Sequence, residues 1–545
     1  MQGHEFYEQI AGAYRDSGAT AADILCDRHD PATTAYTIAD GDSIVRVTYG
    51  ELRRQSIELA NAMRQLGIKP GSRVATLLGK GPELITIMVA TWRIGAVYLP
   101  LFTAFATPAI DFRLRTADAA LVFTDQAQRG KLPVSNSNPW RVVVVGESAE
   151  TIDTDISYTE LIDGASPDED SPSYVQGPDG EFVHIFTSGT TGQPKGVIHP
   201  LRHAAGWQSY LEYGLGVTAD DTYWCAADPG WAYGLYSAVI APLAAGTGTV
   251  LQTGNFEPHR AWSLITDAKV TNFSAAPTVY RAIRSAYPHL SGTTTLTKLS
   301  SCGEPLTPEV NVWALSELGQ LVYDDFGQTE VGMIFSNPHH PDLAKPVVPG
   351  SMGYPLPGWS ATILAEEKEE VLSAGEIGRV AIDTHNSPAM TFTNYQDPTK
   401  SASRFSADGR YYILGDLGSQ DESGAFRFSA RDDDVIIMAG YRIGPFEIES
   451  VLSKHPSIAE SAAIAAPDKE RGEVLEAYIV LRPDEVPSDQ LATDIQVFVK
   501  QNYAAHAYPR RIHFVPELPK TPSGKIQRAV LRQQRREELE AETSE

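Results

Sequence analysis

Cysteine is scarce in this chain of 545 residues: there are three, Cys26, Cys225 and Cys302. They lie far apart and form no Cys-x-x-Cys pair, which excludes a disulfide framework and a structural zinc site and fits a reducing cytoplasm. Cationic residues are short as well, with 44 Lys and Arg against 69 Asp and Glu, a formal net charge of -25 and a sequence pI near 4.9. Such a charge argues against nucleic acid or anionic membrane as a partner, so any polyanionic ligand must be held by local cations and backbone N–H groups. Long apolar runs are also missing. Tyr233 to Leu251 is uncharged over about 19 residues, near the length a bilayer asks for, but Pro242, Gly246 and Gly248 break it into a helix and a strand. Ile85 to Ala106 carries Arg93, Gly95 and Pro100 and reads as a buried helix, a turn and a strand. The N-terminus, MQGHEFYEQI, lacks a basic stretch followed by an apolar one, so no secretory leader is expected. No repeat of fixed period is evident.

What the chain does contain is 42% hydrophobic residues, enough for large cores, and a length that suggests roughly three or four domains. Elements alternate in type. Strand-like Ser43 to Tyr49 precedes a helix over Gly50 to Leu66, strand Ser72 to Leu78, helix Glu83 to Ile94 and strand Val97 to Leu101, with Val142 to Val145 and Thr247 to Leu251 continuing the pattern. Alternation of this kind implies parallel sheets covered by helices. Asp153 to Gly180, rich in Asp, Ser, Pro and Gly, reads as a loop crossing between substructures. From Gly375 short alternating runs separated by Gly and Asp read as hairpins or a small barrel. After Asp433 the pattern is α+β: helix Pro445 to His455, strands Ser461 to Ala466 and Glu476 to Leu481, helix Ser488 to Asn502, strand Ile512 to Phe514 and a charged helix from Gln527. The expected fold is therefore α/β. Residues 1–432 form a large N-terminal domain of helix-covered, mostly parallel sheets with a small β-barrel-like subdomain, and 433–545 form a small α+β C-terminal domain.

The densest chemical signal is TSGTTGQPKG, Thr187 to Gly196. Gly189, Gly192 and Gly196 let the main chain turn its N–H groups toward an anion, Thr187, Ser188, Thr190 and Thr191 add hydroxyl donors, Pro194 stiffens the exit and Lys195 adds a cation. No register gives Gly, four residues, then Gly-Lys, so this is not a Walker loop. Strand-like Glu181 to Phe186 before it, and apolar residues after it, mount it as phosphate loops are mounted rather than as a linker.

This string resembles the signature loop of the adenylate-forming enzymes, which comprise acyl-CoA synthetases, peptide-synthetase adenylation domains and beetle luciferases. Further segments resemble that family in order and spacing, from Val47-Thr48-Tyr49-Gly50-Glu51-Leu52 to Lys525. The resemblance implies a C-terminal domain that rotates and ATP, coenzyme A and Mg²⁺ as cofactors. In SCGEPL the Gly303-Glu304-Pro305 edge would meet one face of adenine. In YDDFGQTEVG the stretch Asp324, Asp325, Phe326, Gly327, Gln328 and Thr329 would meet its other face and the α-phosphate, with either Asp324 or Asp325 near the adenine amine, and Glu330 would ligate Mg²⁺, which favours hard carboxylate oxygen. Asp416 of YILGDLG would accept from the ribose hydroxyls. In ARDDDVIIMAGYRIGPFEIE, Arg431 would contact ribose or phosphate, Asp433 would be the hinge, Arg442 would contact phosphate, and Gly440 and Tyr441 would approach pantetheine. Ala430 and Ile437 depart mildly from the family pattern there. Lys525 of LPKTPSGKIQR would neutralise the carboxylate and α-phosphate, and Lys525, Glu330 and Thr190 of the phosphate loop would be the catalytic residues.

By the same resemblance Trp231, Ala232, Tyr233, Cys302 and Gly327 would line the acyl site. Acetyl-CoA synthetases carry a tryptophan where this chain has Gly327, and its loss is expected to open space for several carbons while Trp231 and Tyr233 still narrow the pocket. The activity so implied is ATP-dependent activation of a short- to medium-chain, branched or aromatic acid to acyl-AMP, followed by transfer to coenzyme A, in fatty acid and lipid metabolism. The enzyme would be a cytoplasmic monomer or homodimer without nucleic-acid or membrane partners. The alternatives are a stand-alone adenylating enzyme serving a carrier protein, a luciferase-like oxygenase, though the chain closes TSE and not SKL, and a non-catalytic acyl-AMP sensor, which would be expected to have lost Lys525 or Glu330.

Overall fold

A computed structural model describes residues 4–41, 43–133, 139–146, 152, 154–165, 172–187, 194–290, 294–366, 368–392, 395, 401–431, 434–438, 441–468, 472–503, 507–521 and 524–544. The β-branched and apolar runs pair as parallel strands. Arg73–Leu77 lies between Val97–Pro100 and Ala119–Asp125, and the sheet runs on to Glu181–Thr187 and Lys195–Pro200 on one side and to Arg141–Val145 and Ile156–Ser157 on the other, seven strands in all. A second sheet of nine strands has a parallel centre, Val322–Gln328, Lys298–Cys302, Asn272–Ala275, Tyr223–Cys225, Thr249–Gln252 and Thr34–Asp40, with antiparallel edges.

Local signals explain the covering helices. Helix Tyr49–Gln65 starts at a reciprocal capping box in which Glu51 N donates to Thr48 Oγ1 at 3.2 Å and Thr48 N donates to Glu51 Oε2 at 2.8 Å, a cap worth about 1 kcal/mol. Helix Pro82–Ile94 takes Pro at its first turn and stops at Gly95 with φ +79. Every residue from Leu84 to Ile94 is buried, as expected of a helix apolar all round. Trp92 of this helix stacks on Phe182 and donates from Nε1 to the Phe182 carbonyl at 3.0 Å, which fixes the strand that leads into the phosphate-loop sequence.

The uncharged stretch Tyr233 to Leu251 folds as expected into helical turns and a strand: Ala232–Gly234, a π-helical segment Leu235–Ile240, Ala241–Ala245 ended by Gly246, then Thr249–Gln252. Among the described residues no helix is long and apolar enough to cross a membrane. The segment read as a plain crossing loop instead holds the strand Ile156–Ser157 and the helix Tyr158–Asp163, capped by Ser157 accepting from Glu160 N. Its polar composition hides a Ser-x-x-Glu start signal. The barrel-like unit is a four-stranded antiparallel sheet, in the order Ala361–Leu364, Gly378–Asp383, Tyr411–Gln420, Phe426–Arg431.

Beyond it a third core forms around Gly472–Leu481 and its neighbours Ile458–Asp468, Ile436–Met438 and Arg511–Phe514, packed by Pro445–Leu452 and Asp489–Asn502. The last helix, Arg528–Ser544, is tied to this unit by buried and half-buried ion pairs. Arg528 grips Glu449 at 2.6 and 3.0 Å and lies 3.6 Å from Asp434, Arg532 also binds Asp434, and Arg535 meets Glu476 at 2.9 Å.

Candidate active site

Parallel strands end their pleat on a common edge, and side chains that follow those ends collect there. Asp228 to Tyr233 follows Tyr223–Cys225, Gly303-Glu304-Pro305 follows Lys298–Cys302, and Thr329-Glu330 follows Val322–Gln328. These three segments, scattered over a hundred residues of sequence, thus share one rim of the nine-stranded sheet.

The Gly303 edge is held from below. Thr278 N and Arg281 Nη2, both on helix Pro277–Ala286, donate to Glu304 Oε1 at 2.8 Å each. Gly303 has φ +107, which side-chain-bearing residues rarely adopt, and a Cβ there would stand 4.0 Å from Lys525 Cε. Lys525 therefore reaches this rim from the C-terminal unit. Its loop is tight: Lys525 N donates to Thr521 Oγ1 at 3.0 Å, Thr521 N donates to the Lys525 carbonyl at 2.7 Å, and Gly524 packs where a Cβ would lie 3.3 Å from Thr278 Oγ1.

The two adjacent aspartates point differently, as strand residues must. Asp325 is committed to the core, accepting from Tyr210 OH at 2.7 Å and from Asn337 N at 3.2 Å, and burial pushes its carboxyl up to about 7 from 3.8. Asp324 accepts from Leu306 N at 3.4 Å beside the Gly303–Pro305 edge, and burial, then the neighbouring Asp325, push it up. The raised Asp325 has a consequence for stability. Unfolded, it ionises near 4, and folded near 7, so its contribution is fully present below about pH 4 and lost as pH rises through 7, a loss of up to about 4 kcal/mol. Asp325→Asn is thus expected to melt higher than the parent at pH 8, with the gap closing toward pH 4 in thermal unfolding, and a pH-independent gap would refute the assignment.

Asp416 and Arg431 are cross-strand partners, and the buried Asp416 accepts from Arg431 Nη1 at 3.3 Å and from Gln328 Nε2 at 2.6 Å. Gly415 before it has φ +74, and a Cβ there would lie 2.7 Å from Arg404 Nη1. Gln328 thereby joins the strand before Thr329-Glu330 to the four-stranded sheet.

Glu330 is met by a residue that sequence reasoning passed over: Tyr395 OH donates to Glu330 Oε1 at 2.6 Å, and Lys195 Nζ stands 5.0 Å from the centre of the Tyr395 ring. Two buried histidines, also passed over, support the neighbouring backbone. His199 Nε2 bonds the Thr329 carbonyl at 2.7 Å and its Nδ1 bonds Tyr236 OH at 2.9 Å. His203 stacks on it at 3.9 Å, bonded to Trp207 Nε1 at 3.0 Å and Thr391 Oγ1 at 2.7 Å. Burial holds His199 down to about 3 and His203 well below its ordinary value, so both are neutral. A carbonyl only accepts and an indole N–H only donates, which assigns the proton to Nε2 of His199 and to Nδ1 of His203. Only a His-rich GVIHPLRH string after the loop could have flagged them.

Of the expected acyl residues, the structure brings Tyr233 and Cys302 into one core with Phe326 beside it. Tyr233 OH bonds Tyr210 OH at 3.0 Å and also Ser274 Oγ. Ala232 is buried at the start of its helical turn. Trp231 joins a different cluster, 5.3 Å from both Phe102 and Phe105. The open space expected at Gly327 is taken: a Cβ there would fall 2.6 Å from Met333 Sδ and 2.5 Å from the Gly332 carbonyl. The volume a side chain would have used is filled from the opposite strand. Ser188, Gly189, Thr190, Thr191, Gly192, Asp433 and Gly440 lie outside the described residues, as do the side chains of Tyr441 and Arg442, while Thr187 and Lys195 are cross-strand partners at the loop's base.

Residues 26–390 match the AMP-binding enzyme family and residues 447–525 match the AMP-binding enzyme C-terminal domain. The chain is 37% identical over 519 residues to the acetyl-coenzyme A synthetase of Bacillus subtilis, covering 93% of this chain and 89% of the relative. It is 36% identical over 511 residues to the mitochondrial acyl-coenzyme A synthetase ACSM3 of Rattus norvegicus, covering 91% and 86%. Among solved structures, ATP-bound MatB from Rhodopseudomonas palustris superposes with a TM-score of 0.82 at 27% identity over 95% of this chain and 99% of that one, and the apo form of the same protein with 0.73.

Proposed function

The chain belongs to the AMP-binding enzyme family and is an AMP-forming acid–thiol ligase, and from that premise we propose that it activates a short- to medium-chain acid, with the residues gathered on the sheet rim in the roles below. A carboxylate is a poor electrophile at neutral pH. Its oxygen forms a bond to the α-phosphorus of ATP, the bond to the β-phosphate oxygen breaks, and pyrophosphate leaves with the electron pair. The thiol sulfur of coenzyme A then bonds to the acyl carbon, the bond from that carbon to the phosphate oxygen of AMP breaks, AMP leaves with the electron pair, and the thiol proton passes to solvent.

The observation that carries the residue assignment is the approach of Lys525 to Gly303. An ammonium here offsets the repulsion between an incoming carboxylate and the α-phosphate. Gly303-Glu304-Pro305 offers a flat face for adenine. Asp324, beside that edge, suits the adenine amine better than Asp325, whose oxygens are spent on Tyr210 and Asn337. Asp416, held on the strand beside Arg431 and Gln328, would accept from the ribose hydroxyls. Phosphates would be gripped by Thr187, Lys195 and the Ser188 to Gly192 sequence between them, with Arg431 and Arg442 as further cations.

Glu330 fits Mg²⁺ of the kind that arrives with phosphates. It is a hard carboxylate with Oε1 braced by Tyr395, and no cluster of three or more His, Cys, Asp or Glu that could hold a metal alone exists among the described residues. When bound, the metal would supply charge neutralisation on the polyphosphate. We further place the domain boundary at 432/433 with Asp433 as hinge, Gly440 and Tyr441 toward pantetheine, and the enzyme in the cytoplasm as a monomer or homodimer. The three buried, unpaired cysteines agree with a reducing compartment.

Pyrophosphate exchange into ATP across straight-chain C2 to C10 and aryl acids, with and without coenzyme A, tests the reading. Exchange with short and medium acids and thioester only when coenzyme A is present is the expected result. Exchange with none would overturn it, and adenylate without thioester would favour a carrier-protein acceptor.

A further inference from the structure

Gly327 and Met333 face each other directly across an antiparallel pair, Val322–Gln328 with Gly332–Ser336. Directly opposed residues share a face of the sheet, so the Met333 side chain leans over the bare backbone of Gly327. The contacts agree: the site of a Gly327 Cβ is 2.6 Å from Met333 Sδ and 2.9 Å from its Cα. On its far side the thioether meets Cys302, whose Sγ is 3.7 Å from Met333 Sδ. Cys302 closes the strand that turns at Gly303, the glycine Lys525 approaches. Contacts thus lead from the exposed Lys525 through Gly303 and Cys302 to Met333, which is 2% exposed and lies in the core.

We propose that Met333 is the residue that sets acyl chain length, a soft stop on a site otherwise left open by glycine. This rests on the reading above of Gly327, Cys302 and Tyr233 as the acyl wall. An acid whose carboxylate lies at Lys525 extends past Cys302 and meets the thioether head-on. The class of substrate follows: short, unbranched acids fit with Met333 in place, and longer ones enter only as it swings aside. Methionine suits that task, being unbranched, with three rotatable bonds and a polarisable sulfur that tolerates irregular contact. Tyr233 does not offer the same give, because its hydroxyl is bonded to Tyr210 and Ser274.

The test is kcat/KM for acyl-CoA formation across straight-chain acids from C2 to C10 in the parent, Met333→Ala and Met333→Leu, with thermal unfolding of each. Met333→Ala removes Cγ, Sδ and Cε, so the preferred acid should lengthen by about three carbons. At about 0.8 kcal/mol per buried CH₂, preference for the longer acid over the parental one should rise roughly 50-fold. Met333→Leu keeps the bulk but stiffens it, so the preferred length should stay and the tail of longer acids should shrink severalfold. An unchanged length profile in Met333→Ala overturns the proposal. If that variant does not fold, an unchanged profile in Met333→Leu does so. A parent that activates no acid would instead sink the functional reading and leave the length question behind it.

Discussion

Lys525→Ala is expected to lower adenylation, read as acid-dependent pyrophosphate exchange, by roughly 10²–10³-fold, the cost of removing one preorganised charge from a developing anion. Thioester formation from a supplied acyl adenylate and coenzyme A should remain within a few-fold of the parent. The split follows from position. The Lys525 side chain reaches the Gly303 rim through its Cε, on a loop closed by Thr521 and packed on Thr278. In the proposed role it would contribute charge to the step in which two anions must meet, and the second step, attack of a sulfur on a neutral acyl carbon, would not need it. Lys525→Arg tests position as well as charge, because a guanidinium is longer and planar, and partial recovery at best is expected. Equal loss of both half-reactions in Lys525→Ala would refute the role.

Glu330→Gln is the second large effect. The amide keeps the shape of the side chain and an oxygen for Tyr395, but loses the charge that would face Mg²⁺. Adenylation should fall roughly 10²-fold, with the magnesium concentration needed for half-maximal rate rising, since a neutral amide is a poorer ligand for a hard cation. Tyr395→Phe removes the brace and leaves the charge, so its loss should be milder, roughly tenfold, in line with one hydrogen bond to an ion. If Glu330→Gln kept the parental magnesium dependence, the metal assignment would be wrong. If Tyr395→Phe proved the more damaging variant, the brace would be acting on something other than Glu330.

Much of the fold was legible because its signals are local. The capping box at Thr48 and Glu51, Pro82 and Gly95 bracketing a helix, and the alternating apolar runs each act within a few residues, and the observed elements begin and end within one to three residues of expectation in the opening sheet. Candidate site residues that sit in contiguous strings, such as Gly303-Glu304-Pro305 and Gln328-Thr329-Glu330, stand out for the same reason, and the structure sets both strings at the ends of neighbouring strands. What escaped were partners set by topology. Nothing near Glu330 in sequence announces Tyr395, and nothing near Thr329 announces His199, because both are brought in by chain crossing between sheets. The mistake at Gly327 is of the same kind. In the sequence a missing side chain reads as room, but a hairpin turn through Thr329 and Glu330 sets Met333 opposite, and a cross-strand neighbour fills what its partner leaves.

Asp434, the first described residue after the expected hinge, is clamped by Arg528 and Arg532, and Arg528 is bound in turn to Glu449. Arg528, Arg532 and Glu449 all stand on the C-terminal side of Asp433, so the Asp434 side chain is tied to that unit. The lysine loop ends at the foot of the Arg528–Ser544 helix and the strand Tyr441–Ile443 begins seven residues past Asp434. Both are therefore geared to one shaft. In the rotation proposed about Asp433, withdrawal of the ammonium and arrival of the strand would be a single turn, and the two half-reactions would exclude each other in time without a separate signal to keep them apart.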